Sequence, residues 1–192
     1  MRKQGKLILI LGPSGSGKGT IINYLKNKYK DFVFPASYTT REKRPNEIEG
    51  DAYHYISQSE FEEEIKQNKL LEWAIVHEDN SYGTDKNEIE SALEKGQTIV
   101  REVDIQGVRS IWKILGKENV YTIFIAAQSW QDLERRIKNR ANIDDNELEK
   151  RERSYHKEME FADECDYIAP NVYGEIDKAF VDIDNILKEI RV

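Results

Sequence analysis

The segment "KLILILGPSGSGKGT", residues 6–20, decides the fold. Its apolar run from Leu7 to Leu11 predicts a buried strand, and the glycine-rich turn that follows leads into a segment of helical period. A strand, a glycine-rich turn and a helix in this order are the context of a phosphate loop, whose backbone N–H groups curl around an anion. The glycines permit the curl, and the helix N-terminus adds partial positive charge. The segment therefore predicts a phosphate-binding turn in an α/β protein.

The loop departs from the strict pattern at one position, because Gly19 stands where Ser or Thr usually follows the lysine. Lys18 is predicted to reach the β- and γ-phosphates of a nucleotide. The usual hydroxyl touches magnesium, so either Thr20 substitutes for it or the metal is held mainly by phosphates and water, as Mg²⁺ commonly is. The residues predicted to bind the nucleotide phosphates are Gly12, Pro13, Ser14, Gly15, Ser16, Gly17, Lys18, Gly19 and Thr20.

The amino-acid composition limits the classes of protein to which the chain can belong. With 192 residues, 39% apolar residues and a net charge of −7, the chain suits one compact soluble domain without a general nucleic-acid surface. No apolar run approaches the ~18 residues of a membrane helix, and the N-terminal run is too short for a secretion signal, so no membrane partner is expected. The single Cys165 excludes an internal disulfide and fits a reducing cytoplasm, and its thiol is predicted to lie in the core.

Alternating apolar runs and helical periods predict a parallel sheet covered by helices. Strands are predicted at residues 7–11, 98–103, 121–126 and 166–169, and helices at about 18–29, 57–67, 85–95, 106–115, 129–140, 145–162 and 174–191. Ser57 with Glu60 and Ser129 with Asp132 have the spacing of helix capping boxes, and Gly96 and Gly116 stand where a left-handed helix end is needed. Residues 33–84 are richer in Tyr, Thr and Glu and predict a small mixed-sheet insertion.

Two carboxylates stand at the end of a central strand in "VREVDIQG". Glu102 and Asp104 are two residues apart and are predicted to point to the same face, at the sheet edge where α/β proteins bind ligands. There a carboxylate can take a metal-bound water or an arginine, whereas the alternative is a solvated strand end. Arg101 is unusual in a central strand, and the sequence offers no account of it beyond pairing with a nearby acid.

Arginines cluster in two places that suit phosphoryl transfer, in which charge on the moving group is stabilised from several sides. Arg41 and Arg44 share a loop and are spaced to converge on one phosphate. Arg136 and Arg140 lie one helical turn apart, and Arg151 follows in the next helix. The alternative for most charges in these two helices is a solvated face that carries ion pairs.

The ordered motifs of the chain resemble those of guanylate kinases from about residue 5 to the end. They read GPSGSGKGT, SYTTREKRP, YHYI, LLEWAIVH, YGT, VDIQG, LERRIKNR and DYIAPN. Each motif is modest alone, but their order and spacing together are highly specific. The resemblance implies one domain with a core at about 1–33, 85–128 and 155–192, a GMP-binding insertion at about 34–84 and a lid at about 129–154.

The resemblance also implies the roles of individual residues in phosphorylation of GMP by ATP with Mg²⁺. The GMP phosphate would be held by Arg41, Arg44, Tyr53 and Tyr82. The guanine would be surrounded by Ser37, Glu72, Thr84 and Asp104. The transferring phosphate would be stabilised by Lys18, Arg41, Arg136, Arg140 and Arg151. Asn171 falls at a position associated with the adenine, Glu102 is the candidate ligand of the metal, directly or through water, and Trp73 beside Glu72 is predicted to be a core residue.

Two alternatives stay open at this stage. A catalytically silent guanylate-kinase-like interaction module would use the GMP cleft for a peptide, although such a module has no need of Lys18 or of the lid arginines. A ribose 1,5-bisphosphate phosphokinase shares the opening GKL…GPSGSGK, but those relatives lack the acids of LEWA and VDIQG that this chain retains. Small-molecule nucleotides are the expected partners, and the oligomeric state does not follow from the sequence.

Overall fold

A computed structural model of the chain describes residues 5–45, 47–76, 80–140 and 144–192, without the side chains of Val76, Arg140 and Asp145. The strands are β1 (Lys6–Leu11), β2 (Ser37–Thr39), β3 (Tyr53–Tyr55), β4 (Leu70–Val76), β5 (Asn80–Asp85), β6 (Thr98–Glu102), β7 (Val120–Ala127) and β8 (Tyr167–Asn171). The helices are α1 (Lys18–Lys28), α2 (Gln58–Lys66), α3 (Lys86–Glu94), α4 (Ile105–Leu115), α5 (Trp130–Arg140), α6 (Asp145–Glu160) and α7 (Ile176–Ile190), with 3₁₀ turns at Lys117–Asn119 and Phe161–Glu164.

The strands form two four-stranded sheets, of order β6-β1-β7-β8 and β3-β2-β5-β4. In the first sheet β7 and β8 pair in parallel, from Ile123 opposite Tyr167 to Ala127 opposite Asn171. The second sheet is mixed, since β2 is parallel to β3 and antiparallel to β5, and β5 is antiparallel to β4. The predicted parallel sheet flanked by helices is therefore confirmed, and the segment predicted as a mixed insertion does form a mixed sheet.

The predicted local signals at several helix ends operate as their chemistry requires. The Ser57 side chain accepts from the Glu60 backbone and the Glu60 side chain accepts from the Ser57 backbone, which completes a capping box at α2. Ser129 Oγ accepts from the Asp132 backbone N–H at 3.2 Å at the start of α5. Gly96 and Gly116 both adopt positive φ, at 73° and 85°, which a residue with a Cβ rarely tolerates.

The chain divides into two compact units. The first contains residues 1–7, 31–101 and 106–120, and the second contains residues 8–30, 102–105 and 121–192. In the first unit α2 packs on the mixed sheet, where a Cβ on Gly83 would lie 2.8 Å from Leu70 Cδ1 and 3.1 Å from Phe61 Cζ. In the second unit α5 and α6 pack through a cluster that contains Ala127, Trp130, Leu133, Ile137 and Tyr155. Spacings of three and four residues along α5 put its apolar side chains on one face.

Two predictions of burial are wrong. Trp73, predicted as a core residue, is 45% exposed, because it points to the face of the mixed sheet opposite to that of the buried Glu72. Cys165 is only partly buried, directly after the 3₁₀ turn at Phe161–Glu164. In the part of the chain that the structure describes, no helix is both long and apolar enough to cross a membrane.

Candidate functional site

The glycine-rich turn after β1 is closely packed in the second unit. Gly12, Gly15 and Gly17 have φ values of 139°, 87° and 98°, a region that favours glycine. A Cβ on Gly12 would collide with the Ile125 carbonyl of β7, and one on Gly17 would collide with the Asn171 amide at the end of β8. The turn therefore needs glycine both for its backbone angles and for its close approach to two strands.

Lys18, the first residue of α1, folds back over the loop. Its Nζ donates to the Gly12 carbonyl at 2.8 Å and to the Pro13 carbonyl at 3.2 Å. The same ammonium lies 3.6 Å from Glu102 Oε1, where the side chain of Glu102 is about half exposed. The predicted lysine and the predicted strand carboxylate are thus neighbours at the mouth of the loop.

A further carboxylate of the second unit, Glu158 on α6, interacts electrostatically with Lys18 and Asp104. Burial, opposed by Lys18 and reinforced by Asp104, raises the pKa of Glu158 to about 7. Asp104 is assigned by the resemblance to the guanine, and in the structure it belongs to the second unit together with Lys18. The region around Lys18 therefore carries several carboxylates that balance its charge.

Arg136 of α5 anchors the loop to β8. Its Nη1 donates to the Ser16 carbonyl at 3.2 Å and its Nη2 donates to the Asn171 carbonyl at 2.7 Å. The Asn171 side chain donates to the same Ser16 carbonyl at 2.7 Å, and the guanidinium carbon of Arg136 lies 5.9 Å from the centre of the Tyr173 ring. Desolvation lowers the pKa of Arg136. The structure thus brings two predicted site residues together, at the backbone of the loop.

Arg151 approaches the loop from α6. Its Nη1 lies 3.5 Å from Ser14 Oγ, while its Nε donates to Glu147 at 2.9 Å within the same helix. Arg140 is the last residue of α5, and its side chain lies outside the described part of the structure. Of the three arginines predicted for the transferring phosphate in these helices, two contact the phosphate loop.

The mixed sheet of the first unit carries the other predicted cluster on one of its faces. Ser37 pairs with both Tyr53 and Thr84, and Thr39 pairs with both Tyr55 and Tyr82. Directly paired residues, and residues two apart on one strand, point to the same face of a sheet. The rings of Tyr53 and Tyr82 meet edge to face with their centres 5.9 Å apart. The sheet therefore collects residues that lie up to 47 positions apart in the sequence.

Glu72 of β4 is the buried carboxylate of this face, with 8% of its surface exposed. Thr84 Oγ1 donates a short hydrogen bond to Glu72 Oε1. Nη2 of Arg101 lies 3.6 Å from the same oxygen and donates to Ser37 Oγ at 3.2 Å. Three predicted guanine-binding residues thus contact one another directly or through Arg101, the residue that the sequence left without an account.

Arg41 forms a second cluster at the edge of the same sheet. Its two Nη groups donate to the two Glu47 oxygens at 3.0 and 2.8 Å, and its guanidinium carbon lies 5.3 Å from the Tyr53 ring centre. Glu47 also accepts from the Tyr55 hydroxyl at 2.8 Å and from the Arg44 backbone N–H at 2.8 Å. The hydrogen bonds from Arg41 hold the pKa of Glu47 at about 2. The Arg44 side chain itself is exposed.

The reasoning from sequence missed three functional candidates. Glu47 was hidden because its pairing with Arg41 spans a loop whose path no local pattern predicts. Glu158 follows Arg151 by seven residues, a spacing that places both on one face of a helix. Its position near the loop was therefore predictable from that of Arg151. The signal for Arg101 was its charge inside an apolar run, which predicts a buried partner but does not identify it.

The two clusters differ in chemistry. The phosphate loop, Lys18 and the arginines of the second unit offer N–H donors and positive charge, which suit a polyphosphate. On the mixed sheet, Arg41 lies against tyrosine rings. The same sheet carries the buried Glu72 carboxylate near the hydroxyls of Thr84 and Ser37. A carboxylate accepts hydrogen bonds from adjacent N–H groups, and the arginine suits a phosphate group. This combination matches a ligand that has a phosphate at one end and paired N–H donors at the other.

Comparisons with known proteins agree with this chemistry. A family model described as guanylate kinase matches residues 4–190. Over 185 residues the chain is 35% identical to a guanylate kinase of Corynebacterium jeikeium, an alignment that covers 96% of each chain. Over 187 residues it is 39% identical to a guanylate kinase of Caldanaerobacter subterraneus subsp. tengcongensis, with 97% of this chain and 88% of the relative covered.

Solved structures share the fold. The chain superposes on the crystal structure of guanylate kinase from Anaplasma phagocytophilum with a TM-score of 0.77 and 24% identity, covering 98% of this chain and 87% of the other. At this identity the likeness supports the architecture, whereas the family model and the more similar relatives support the function.

Proposed function

The chain belongs to the guanylate kinase family, and from this premise we propose how its two polar clusters serve the reaction. It is an ATP-dependent kinase that phosphorylates GMP to GDP. The proposal rests on the presence of two polar clusters of different chemistry. A phosphate loop with an intact Lys18 lies in one unit, and a buried Glu72 beside Thr84 and Ser37 lies in the other.

We propose that ATP binds along the phosphate loop, with its phosphates against the backbone N–H groups of residues 12–20. Lys18 exchanges its hydrogen bonds with the Gly12 and Pro13 carbonyls for the β- and γ-phosphates. The contact of Arg151 with Ser14 and those of Arg136 with the loop backbone support roles for both arginines near the transferring phosphate. Asn171 adjoins the same loop and is the proposed contact of the adenine.

We propose that GMP binds on the polar face of the mixed sheet. Its phosphate is held by Arg41, Arg44, Tyr53 and Tyr82, and Glu47 supports the site by fixing Arg41 in place. Its guanine is recognised by Ser37, Glu72 and Thr84, and the resemblance adds Asp104. The Glu72 carboxylate accepts from the guanine N1–H and amino group together, a pairing that adenine does not offer because its N1 is an acceptor.

The transfer itself requires little covalent chemistry from the protein. An oxygen of the GMP phosphate, already ionised, attacks the γ-phosphorus of ATP while the bond to the bridging β-phosphate oxygen breaks, which gives GDP and ADP. No general base is needed. Lys18, Arg41, Arg136, Arg140 and Arg151 are proposed to stabilise the charge on the moving group.

The residues at the mouth of the loop fit Mg²⁺, which prefers oxygen ligands and commonly retains water. The half-exposed Glu102 carboxylate beside Lys18 offers such an oxygen, directly or through water. When bound, the ion neutralises charge on the ATP phosphates. We propose that phosphates, water and Glu102 hold it, since Gly19 offers no side chain.

Substitution of Gly19 by serine should reduce the dependence on magnesium. A Cβ at Gly19 would meet nothing within 4 Å, so the hydroxyl that the loop usually provides fits there. We expect the Mg²⁺ concentration for half-maximal rate to fall about threefold to tenfold, as one added metal contact permits. G19A is the matched control, because it adds the Cβ and the helix propensity without the hydroxyl. Equal behaviour of the two variants would contradict the proposal.

A coupled assay of ADP release tests the reaction with GMP, dGMP, AMP, UMP and ribose 1,5-bisphosphate as acceptors. We expect kcat/KM for GMP to exceed that for AMP by about 10⁴, the range reached when a site's buried polar groups lose their partners with the wrong ligand. Turnover only with ribose 1,5-bisphosphate, or no ADP release with any acceptor, would overturn the proposed function.

We also propose the wider setting of the enzyme. The chain acts as one domain with a core at about 1–33, 85–128 and 155–192, a GMP-binding part at about 34–84 and a lid at about 129–154. A lone thiol at Cys165 suits a reducing compartment, which supports the cytoplasm as the place of reaction.

A further inference from the structure

Arg101 is a charged residue where an apolar one would serve the fold. It follows Ile99 and Val100 in β6, both almost fully buried, and only 5% of its own surface is exposed. The sequence predicts an apolar side chain at such a position, because the interior of an α/β strand is typically aliphatic. Its presence therefore calls for a role other than packing.

The contacts of Arg101 lie within the cluster of Ser37, Glu72 and Thr84. Its Nη2 donates to Ser37 Oγ at 3.2 Å and lies 3.6 Å from Glu72 Oε1. Its Nε and Nη1 are buried and have no hydrogen-bond partner within the described residues. Two of the residues proposed to read the guanine are therefore polar contacts of this guanidinium.

Stability does not explain this arrangement. Burying a guanidinium while some of its donors lack partners is costly, and replacing a buried ion pair by apolar residues is often neutral or stabilising. Desolvation lowers the pKa of Arg101, and Glu72 is the largest opposing influence, yet an arginine stays charged in proteins. The fold thus accepts a poorly satisfied cation at the point where it meets the carboxylate proposed to contact the base.

We propose that Arg101 is a positioning residue for recognition of the acceptor base, which holds the Glu72 carboxylate ionised and in one orientation and orients the Ser37 hydroxyl. This inference rests on the proposed role of Glu72 in GMP binding. Thr84 and Arg101 both reach Oε1 of Glu72, so the carboxylate is fixed through one oxygen by a hydroxyl and a cation. A carboxylate so fixed presents its acceptors to the guanine N–H groups in the geometry that they require.

The ionised form of Glu72 needs this support. A carboxyl group buried without a cation tends to keep its proton, and a protonated carboxyl loses an acceptor that the guanine needs. The other charged or titratable groups around Arg101 are Glu88 on α3 and Tyr53 on β3, and Asp85 and His54 act on Glu88 in turn. Glu88 is itself an acid, so it offers no positive charge to Glu72, and burial raises its own pKa.

The test is the pH dependence of KM for GMP in R101M. Methionine keeps the apolar stem and removes the charge. We expect KM for GMP to rise about tenfold at pH 8 and about a hundredfold at pH 6, because Glu72 takes up a proton as the pH falls. The readout is the ratio of the variant KM to the wild-type KM at each pH, because the GMP phosphate takes up a proton near pH 6 with either protein. kcat at saturating GMP and KM for ATP should change less than about threefold, since the transferring phosphate is not involved.

Further variants separate positioning from a structural effect. R101K keeps a cation and should raise KM about threefold over the wild type at every pH, whereas R101Q should reproduce the larger rise at low pH if R101M does not fold. K113M removes an exposed charge from α4 and should leave KM unchanged. In an E72Q background, R101M should add less than about twofold, because it acts through the carboxylate.

The outcomes distinguish this inference from the proposed function. If E72Q leaves KM for GMP unchanged, the role of Glu72 in base recognition is wrong, and the inference is wrong with it. If E72Q raises KM for GMP while R101M and R101Q leave it unchanged, or raise it equally at every pH, only the positioning role of Arg101 is overturned. A low-pH rise in R101K equal to that in R101M would overturn it as well.

Discussion

Replacing Lys18 with methionine should lower kcat for GMP phosphorylation by about three orders of magnitude. The lysine is the first residue of α1, and its ammonium lies over the loop between the Gly12 and Pro13 carbonyls. In the proposed mechanism it neutralises charge that develops on the transferring phosphate, and removal of one such preorganised group typically costs a factor of about 10²–10³ or more. Methionine keeps the apolar length of the side chain and removes the charge. The coupled assay at saturating ATP and GMP measures the effect.

A matched control is K30M, which removes an exposed charge just after the same helix. Its kcat should stay within about twofold of the wild-type value, and thermal unfolding should confirm that both variants fold. Retention of more than a tenth of kcat in K18M would contradict the role of the loop as the donor site. The same experiment bears on a silent interaction module, in which neither the wild type nor K18M would release ADP.

The phosphate loop was predictable because its determinants are local. A buried strand, glycines that need positive φ and a helix that starts at the lysine all lie within residues 6–20, and the structure has each of them. Helix ends fixed by Ser57, Gly96 and Gly116 were predictable for the same reason, since each depends on hydrogen bonds or backbone angles of a few neighbouring residues.

The contacts of Arg101 were not predictable, because they depend on distant parts of the chain. Glu72 and Ser37 precede it by 29 and 64 residues, and they meet it only once the strands have paired. No periodicity within β6 carries that information. The charge inside an apolar strand showed that a buried partner exists, and only the three-dimensional structure shows that the partner is the proposed base-reading carboxylate.

The errors at Trp73 and Cys165 have the same origin. Both residue types are usually buried, but exposure depends on whether another element covers the strand or turn. Trp73 and Glu72 are neighbours on β4 and point to opposite faces of the sheet, so Trp73 is 45% exposed whereas Glu72 is buried. The carboxylate is buried and the aromatic ring is exposed, which is the reverse of what the two residue types predict. This reversal is a sign of a binding function at Glu72.

Replacing Glu72 with alanine should abolish most of the preference for GMP over AMP. We expect kcat/KM for GMP to fall about 10³-fold and kcat/KM for AMP to change less than about tenfold, because only guanine donates two N–H groups to the carboxylate. KM for ATP should change less than twofold, since the proposed contacts of ATP lie in the phosphate loop. E63A, which removes an exposed carboxylate from α2, should leave both acceptors unaffected.

The alanine variant also leaves Arg101 buried without its carboxylate, and breaking one partner of a buried ion pair costs about 3–5 kcal/mol of stability. E72Q separates specificity from stability, since it keeps the volume of the side chain and one oxygen while its NH₂ group opposes the guanine N1–H. Both variants should therefore lose GMP selectivity, although E72Q retains the shape of the site. If E72Q folded as the wild type does and kept its preference for GMP over AMP, the base would have to be read by groups other than Glu72. The buried contacts of Arg101 and Thr84 with that carboxylate would then be structural.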